Sequence, residues 1–404
     1  MKQIIKPCNI LLPKKNVDME KWAVVACDQY TSEKEYWEDV EKIVGDEPST
    51  YRIIYPEVYL NESSILKEQR LKDINKKMES YVQDYLDEYN ESMILIDRVI
   101  GGKHRIGVVC GVDLEYYDYV LDNQPEIRAT EKTITDRIPP RLAIRKDAII
   151  ETPHILIVIN DKKKEIVEEL YNKKDQFELL YSTKLMKNGG YINGYLINDK
   201  EIIDEFNDKI VALKNEGISM LVGDGNHSLA TAKAHWNSVK ANLDEKEISN
   251  HPARVALVEV NNIYDDGLNF LPIHRVIFGD KAEIFIKQFK EKISGENELK
   301  LYKNGEEICV KIPQNKIEAV KQIQDFVEKF ITENKDVEVD YIYGEQNLKD
   351  VCDNLNGLGI IMNCIDKSEL FPYIEKGNVL PKKTFSIGEA YEKKYYIACK
   401  KIIK

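Results

Sequence analysis

The sequence predicts a mixed α/β fold of the α+β kind, and three observations carry that prediction. Short apolar runs bounded by turn residues recur along the chain, as buried strands require. Between them lie longer polar stretches with one apolar face, as amphipathic helices require. At the centre, a strand pattern, a glycine-rich loop and a helix pattern follow one another directly. Interleaved elements of this kind pack as helices against sheets.

Taken in order, residues 22–27 (Trp-Ala-Val-Val-Ala-Cys) read as a short buried strand ending at Asp28. Ser32 then opens a helix with capping-box spacing to Glu35, and Trp37, Val40 and Val44 form its apolar face. Polar amphipathic helices are expected over 62–90 and 162–188, and strands over 93–97, 106–112 and 155–159. Residues 217–222 read as a strand, 223–228 as a tight loop, 229–240 as a helix and 254–260 as a strand. Helices at 281–292, 316–333 and 366–376 alternate with strands at 337–343 and 358–364. These elements group into three parts: 1–160, 161–280 with the central loop, and 281–404.

Composition narrows the function. The 404 residues are 43% hydrophobic and 32% charged, the balance of a globular chain. Lys and Arg number 58 against 70 Asp and Glu, and 58 − 70 = −12, which disfavours general binding to nucleic acid. No apolar run approaches the ~20 residues of a membrane-spanning helix, so no membrane partner is expected. The opening stretch is too interrupted for a signal peptide. Seven scattered cysteines without C-x-x-C spacing read as buried thiols of a reducing cytoplasm. No P-loop, zinc-protease, serine-hydrolase or calcium-loop motif occurs.

The most informative fragment is Gly223-Asp224-Gly225-Asn226-His227-Ser228. Glycines let a backbone turn sharply, and unpaired N–H groups at a helix start attract anions. A carboxylate beside a phosphate needs a cation between them, which makes Asp224 a candidate Mg²⁺ ligand. His227 would donate to a phosphate or hold the loop. The residues alone leave a second reading open, in which Asp224 caps the helix and His227 satisfies a local carbonyl. Elsewhere, 128–145 gathers Arg128, Lys132, Arg137, Arg141 and Arg145 with Glu131 and Asp136, either an anion clamp or a solvated ion-paired face. Asp28 at a strand end, the His274-Arg275 pair and the Pro381-Lys382-Lys383-Thr384 turn are further polar candidates, each with a plain structural alternative.

Five motifs in order carry a resemblance. They are Asp28 with its flanks, Glu131-Lys132-Thr133, Asp224-Gly225-Asn226-His227, Leu271-Pro272-Ile273-His274-Arg275 and Pro381-Lys382-Lys383-Thr384. Together they resemble, nearly end to end, the family described as domain of unknown function 1015. From about 218 to 386 the chain also resembles, more distantly, the archaeal free serine kinases, which phosphorylate serine with ADP on a ParB/sulfiredoxin-like fold. Asn226 and Ser228 stand where their D-G-H-H-R motif has histidine and arginine, and Phe385-Ser386 where arginine and histidine follow P-K-T-T.

The resemblance implies a ParB/sulfiredoxin-like nucleotide-binding core with added α/β elements. It implies a phosphotransferase using ADP or ATP with Mg²⁺ on a small hydroxylated metabolite. Asp224 and His227 would act in catalysis, with Asp224 on the metal; Asp28 joins them as a catalytic candidate from its strand-end position, with no counterpart matched in the kinases. Gly223, Gly225, Asn226 and Ser228 would hold the nucleotide. Glu131, Thr133, Arg137, His274, Arg275, Lys382 and Thr384 would contact substrate. Two alternatives are a nucleotide-binding regulator of the ParB kind and a dinucleotide-dependent oxidoreductase using the near-fingerprint G-x-G-x-x-S.

Overall fold

A computed structural model describes residues 2–31, 33–120 and 123–404. The fold is mixed α/β, with several sheets and helices. By contact the chain divides into two compact units, one of Met1–Leu268 with Ala390–Lys404 and one of Asn269–Glu389. The contact division has two units where three parts were expected, with no cut at 160, and it returns the C-terminal segment to the first unit.

The first unit is built on a 12-stranded mixed sheet. Its framework is the long hairpin of Leu86–Ile100 and Lys103–Asp113, whose register pairs Ile100 with Lys103. Gly101 and Gly102 close it with φ of 57° and 78°, the left-handed pair a two-residue turn needs to match strand twist. Val255–Asn262 adds antiparallel to Lys103–Asp113. Leu156–Ile159 lies parallel to that strand, and Met220–Asp224 runs antiparallel to Leu156–Ile159 and parallel to Ile127–Ala129. These inner strands are buried almost throughout, which explains their continuous apolar runs. On the hairpin's other flank come Cys8–Pro13 and then Cys399–Lys401, a strand from the far end of the chain.

Two expected helices are cut short. The helix expected over 62–90 ends at Asp84, and the chain enters the sheet at Leu86. Most of 162–188 is not helical. Val167–Asn172 is a short helix, but Glu178–Leu185 is a strand paired with Gly190–Ile197. Its buried residues, Tyr181 and Leu185, are four apart, a spacing shared by helix and strand periodicities. Pairing with the neighbouring strand decides between them. The helix expected after Ser32 runs Lys34–Val44 with Trp37, Val40 and Val44 buried, while Ser32 itself lies outside the described residues.

The second unit has a six-stranded antiparallel sheet. Phe270–Phe278 is its central strand. Helices Ala282–Lys292 and Lys316–Glu333 join through Phe285, Phe289, Phe326 and Phe330, with edge-on ring centroids 5.0 Å apart in the Phe285–Phe326 and Phe285–Phe330 pairs. The three helices and two strands expected here are observed to within a few residues, while the strands Phe270–Phe278, Asn297–Lys303, Glu306–Ile312 and Phe385–Ile387 and the helix Glu345–Leu355 add to them.

Candidate functional site

The central loop is tighter than its sequence suggests. Gly223 and Asp224 complete the strand, and the helix begins at Asn226, so Gly225 alone makes the turn. Gly225 adopts φ 78°, and a Cβ there would lie 3.0 Å from Ile155 Cα. Only glycine lets the loop rest against the neighbouring strand in this conformation. Asn226, His227 and Ser228 are therefore the first turn of the helix, where N–H groups point outward and the dipole is positive.

Asp224 does not cap that helix, which has no side-chain cap. Its Oδ1 accepts the Gly225 N–H at 2.8 Å, and its Oδ2 accepts Lys393 Nζ at 2.9 Å. Lys393 is 7% exposed and 169 positions away in sequence. The buried Arg98 sets it in place by donating to the carbonyl oxygens of Tyr391, Glu392 and Lys393, at 2.9, 2.9 and 2.6 Å. Arg105 adds a second bond to the Glu392 carbonyl. No local signal in the sequence marks Lys393, because its role depends on a sheet that brings the C-terminal segment back.

The Ile134 N–H donates to His227 Nε2 at 3.3 Å, which ties the helix start to the neighbouring segment. Thr130 Oγ1 donates to the Val222 carbonyl at 2.8 Å and accepts Asn226 Nδ2 at 3.4 Å. The segment carrying Glu131 and the buried Thr133 thus runs directly beside the loop. Arg137 is exposed on a turn, its carbonyl accepting from Arg141.

Asp28 sits in a second cluster of the same unit. The Cys27 N–H donates to Tyr396 Oη at 3.0 Å, and Tyr396 Oη lies 2.7 Å from His154 Nδ1. Burial pushes the Tyr396 hydroxyl far above its ordinary pKa, so it keeps its proton. His154 Nε2 lies 3.5 Å from Asp28 Oδ2. Nearby, Glu57 pairs with Arg141. Burial raises the Glu57 carboxyl and Arg141 opposes it, with Asp28 adding a smaller upward push.

A cavity of about 160 Å³ lies beside these groups, with Asp28 outside its lining. Cys27, Glu57, Arg141, Arg145, His154, Ser228 and Tyr396 contribute polar lining, and an apolar wall completes it. Of the residues singled out from sequence, Arg141, Arg145 and Ser228 line it. Glu57, His154 and Tyr396 went unnoticed because isolated polar residues in unrelated segments form no local pattern.

For Mg²⁺ the loop offers oxygen donors alone, the type that ion takes. They are Asp224 and Asn226 Oδ1, which is buried without a hydrogen-bond partner. Among the described residues, no group of three or more His, Cys, Asp or Glu side chains could hold a metal unaided. An ion here would draw its other ligands from phosphate and water.

The remaining sequence candidates belong to the second unit. His274, 4% exposed, accepts the Met362 N–H on Nδ1 at 3.1 Å, and burial lowers its pKa. Arg275, fully buried, donates to Gln324 Oε1 and the Ile273 carbonyl. Thr384 Oγ1 donates to the Pro381 carbonyl at 2.7 Å, and Lys382 pairs with Glu328 at 3.3 Å. Each is engaged within its own unit.

The fold and loop define a mixed α/β protein with a glycine turn, an uncapped helix start and a buried lysine beside it. The chain belongs to the family described as Protein of unknown function (DUF1015), whose profile matches residues 5–342. No curated protein matches it. Among solved structures, a conserved hypothetical protein from Pyrococcus furiosus is similar at 11% identity and TM-score 0.38, covering 71% of this chain and 93% of that one. A free serine kinase in complex with AMP is similar at 10% identity and TM-score 0.40, with 72% and 90% covered. SbnI with C-terminal truncation from Staphylococcus aureus gives 11% and 0.36, with 69% and 83% covered. No helix among the described residues is long and apolar enough to cross a membrane.

Proposed function

We propose that this protein is a phosphotransferase that moves the terminal phosphoryl group of ADP or ATP to a small hydroxylated metabolite. The observation that carries the reading is a cavity whose wall includes Ser228, in the first turn of the uncapped glycine-loop helix. A phosphate site and an acceptor space would thereby adjoin. Phosphoryl transfer asks the protein mainly for positioning and charge compensation.

In this reading the first-turn N–H groups and Lys393 bind the nucleotide phosphates, and His227 positions the loop against the neighbouring segment. Asp28, oriented by His154, takes the proton of the acceptor hydroxyl as that oxygen bonds to the terminal phosphorus. The bond from phosphorus to the bridging oxygen breaks, and the nucleotide leaves with one phosphate fewer. Mg²⁺, held by Asp224 and Asn226 Oδ1, would supply charge neutralisation at the phosphates. A ParB/sulfiredoxin-like core around the loop belongs to the same proposal.

Thermal unfolding of the full chain with ADP and with ATP, each with and without Mg²⁺, tests it. One nucleotide should raise the unfolding temperature, and Asp224→Ala should abolish the rise. No shift with either nucleotide overturns the reading.

A further inference from the structure

We propose that the 160 Å³ cavity of the first unit takes the acceptor as a neutral alcohol, with one hydroxyl on a compact apolar carbon skeleton. This rests on the phosphotransferase reading and narrows its substrate class. The cavity lining divides into two sets. Ile53, Met78, Ala148 and Ile150 belong to one buried apolar cluster, with Leu60 and Ile144 packed against it. The uncharged polar set is His154 bonded to Tyr396, Ser228 with Thr231 three residues apart on the loop helix, and Cys27, Tyr55 and Thr152.

The charged groups in the wall are paired in charge, although Arg145 Nε is buried without a hydrogen-bond partner. Glu57 pairs with Arg141, and Arg145 with Glu151. Glu151 also accepts the Leu257 N–H at 2.8 Å. A zwitterion or dianion entering this space would meet no unmatched counter-charge. A polyol would set most of its hydroxyls against the apolar wall without partners, which is unfavourable. A ligand with one polar end suits both sets. The volume is close to that of an engineered cavity of about 150 Å³ that holds benzene, so the carbon skeleton is of about that size.

In the transfer, the alcohol oxygen forms the new bond to phosphorus and its proton passes to Asp28. The phosphorus–bridging-oxygen bond breaks, and its electron pair leaves with the nucleotide. No oxidant or reductant is involved.

The test uses the full chain and four probes: benzyl alcohol, 3-methylbutan-1-ol, glycerol and L-serine. Binding is read by saturation-transfer NMR, with the nucleotide-induced thermal shift measured in parallel. The two apolar alcohols should bind saturably, at least about tenfold tighter than glycerol or serine. Ala148→Phe and Ile144→Phe, which fill the apolar end from different segments, should each weaken that binding about tenfold while the nucleotide shift persists. Equal or tighter binding of glycerol or serine overturns the proposal, as does unchanged alcohol binding in the filled variants. A nucleotide shift without alcohol binding refutes this assignment alone. Alcohol binding in the cavity without any nucleotide shift refutes the phosphotransferase reading and leaves the ligand class standing.

Discussion

Lys393 Nζ and Asp224 Oδ2 lie 2.9 Å apart, joining the C-terminal segment to the turn between the central strand and its helix. Lys393 is almost fully buried and Asp224 partly so. The pair places a cation beside the one carboxylate of a loop that otherwise presents backbone N–H groups. The carboxylate repulsion that argues for a metal when the sequence is read alone is thus already partly offset by a lysine.

Removing that lysine has a defined consequence. Lys393→Met leaves Asp224 without its partner in a partly desolvated site, and the expected loss of stability is about 1–3 kcal/mol. Urea unfolding should show a lower midpoint at unchanged slope. The same variant should weaken nucleotide stabilisation, whereas Lys393→Arg should retain part of it. A midpoint indistinguishable from wild type would show the pair to be incidental.

Gly225→Ala tests the turn. Its φ of 78° and the 3.0 Å approach to Ile155 Cα make any side chain strained there. The expected cost is about 1–2 kcal/mol, together with loss of nucleotide-induced stabilisation. A stabilised Gly225→Ala variant, as seen where glycine merely loosens the unfolded chain, would contradict this account of the loop.

Arg98 holds the segment that delivers Lys393. It is 1% exposed, and burial lowers its guanidinium to about 9, yet it donates to four carbonyl oxygens, those of Gly189, Tyr391, Glu392 and Lys393. Arg98→Met takes a donor from all four acceptors, of which Glu392 keeps Arg105, and should destabilise by about 3 kcal/mol or more. Amide hydrogen exchange over 391–396 should accelerate more than exchange in the central strands. Uniform acceleration across the first unit would mean that Arg98 supports the whole sheet rather than this segment.

His235 gives a pH dependence of known sign. It is 8% exposed, its Nδ1 is buried without a partner, and burial lowers its pKa from 6.5 to about 4, with Arg145 adding to the shift. The unfolded chain therefore binds a proton more readily than the folded one between pH 6.5 and about 4. Stability is full above pH 6.5 and falls as pH drops through that window, by about 3 kcal/mol at most. Urea midpoints for His235→Leu should fall less steeply than wild type over the same range. Parallel profiles would sink the assignment.

The strand, glycine turn and helix of the centre were readable because each is a local pattern: an apolar run, two glycines and a 3.6-residue repeat. In the second unit the same local patterns marked three helices and two strands but not the central strand Phe270–Phe278, the hairpin Asn297–Lys303 with Glu306–Ile312, or the helix Glu345–Leu355. The hairpin from 178 to 197 was not, since the spacing of Tyr181 and Leu185 suits either period and only pairing with Gly190–Ile197 settles it. Asp28, Asp224 and the loop could be picked out as candidates from residue type and position. Lys393, His154 and Tyr396 could not, because a lone polar residue acquires chemistry only from what lies against it.

Local sequence, then, determined where strands and helices form and where the chain must turn, since propensity and periodicity act over a few residues. Tertiary structure decided which charge meets Asp224, which groups orient Asp28 and where a cavity opens. Those contacts join segments separated by up to 369 positions, as between Cys27 and Tyr396, and only the closed sheet brings them together.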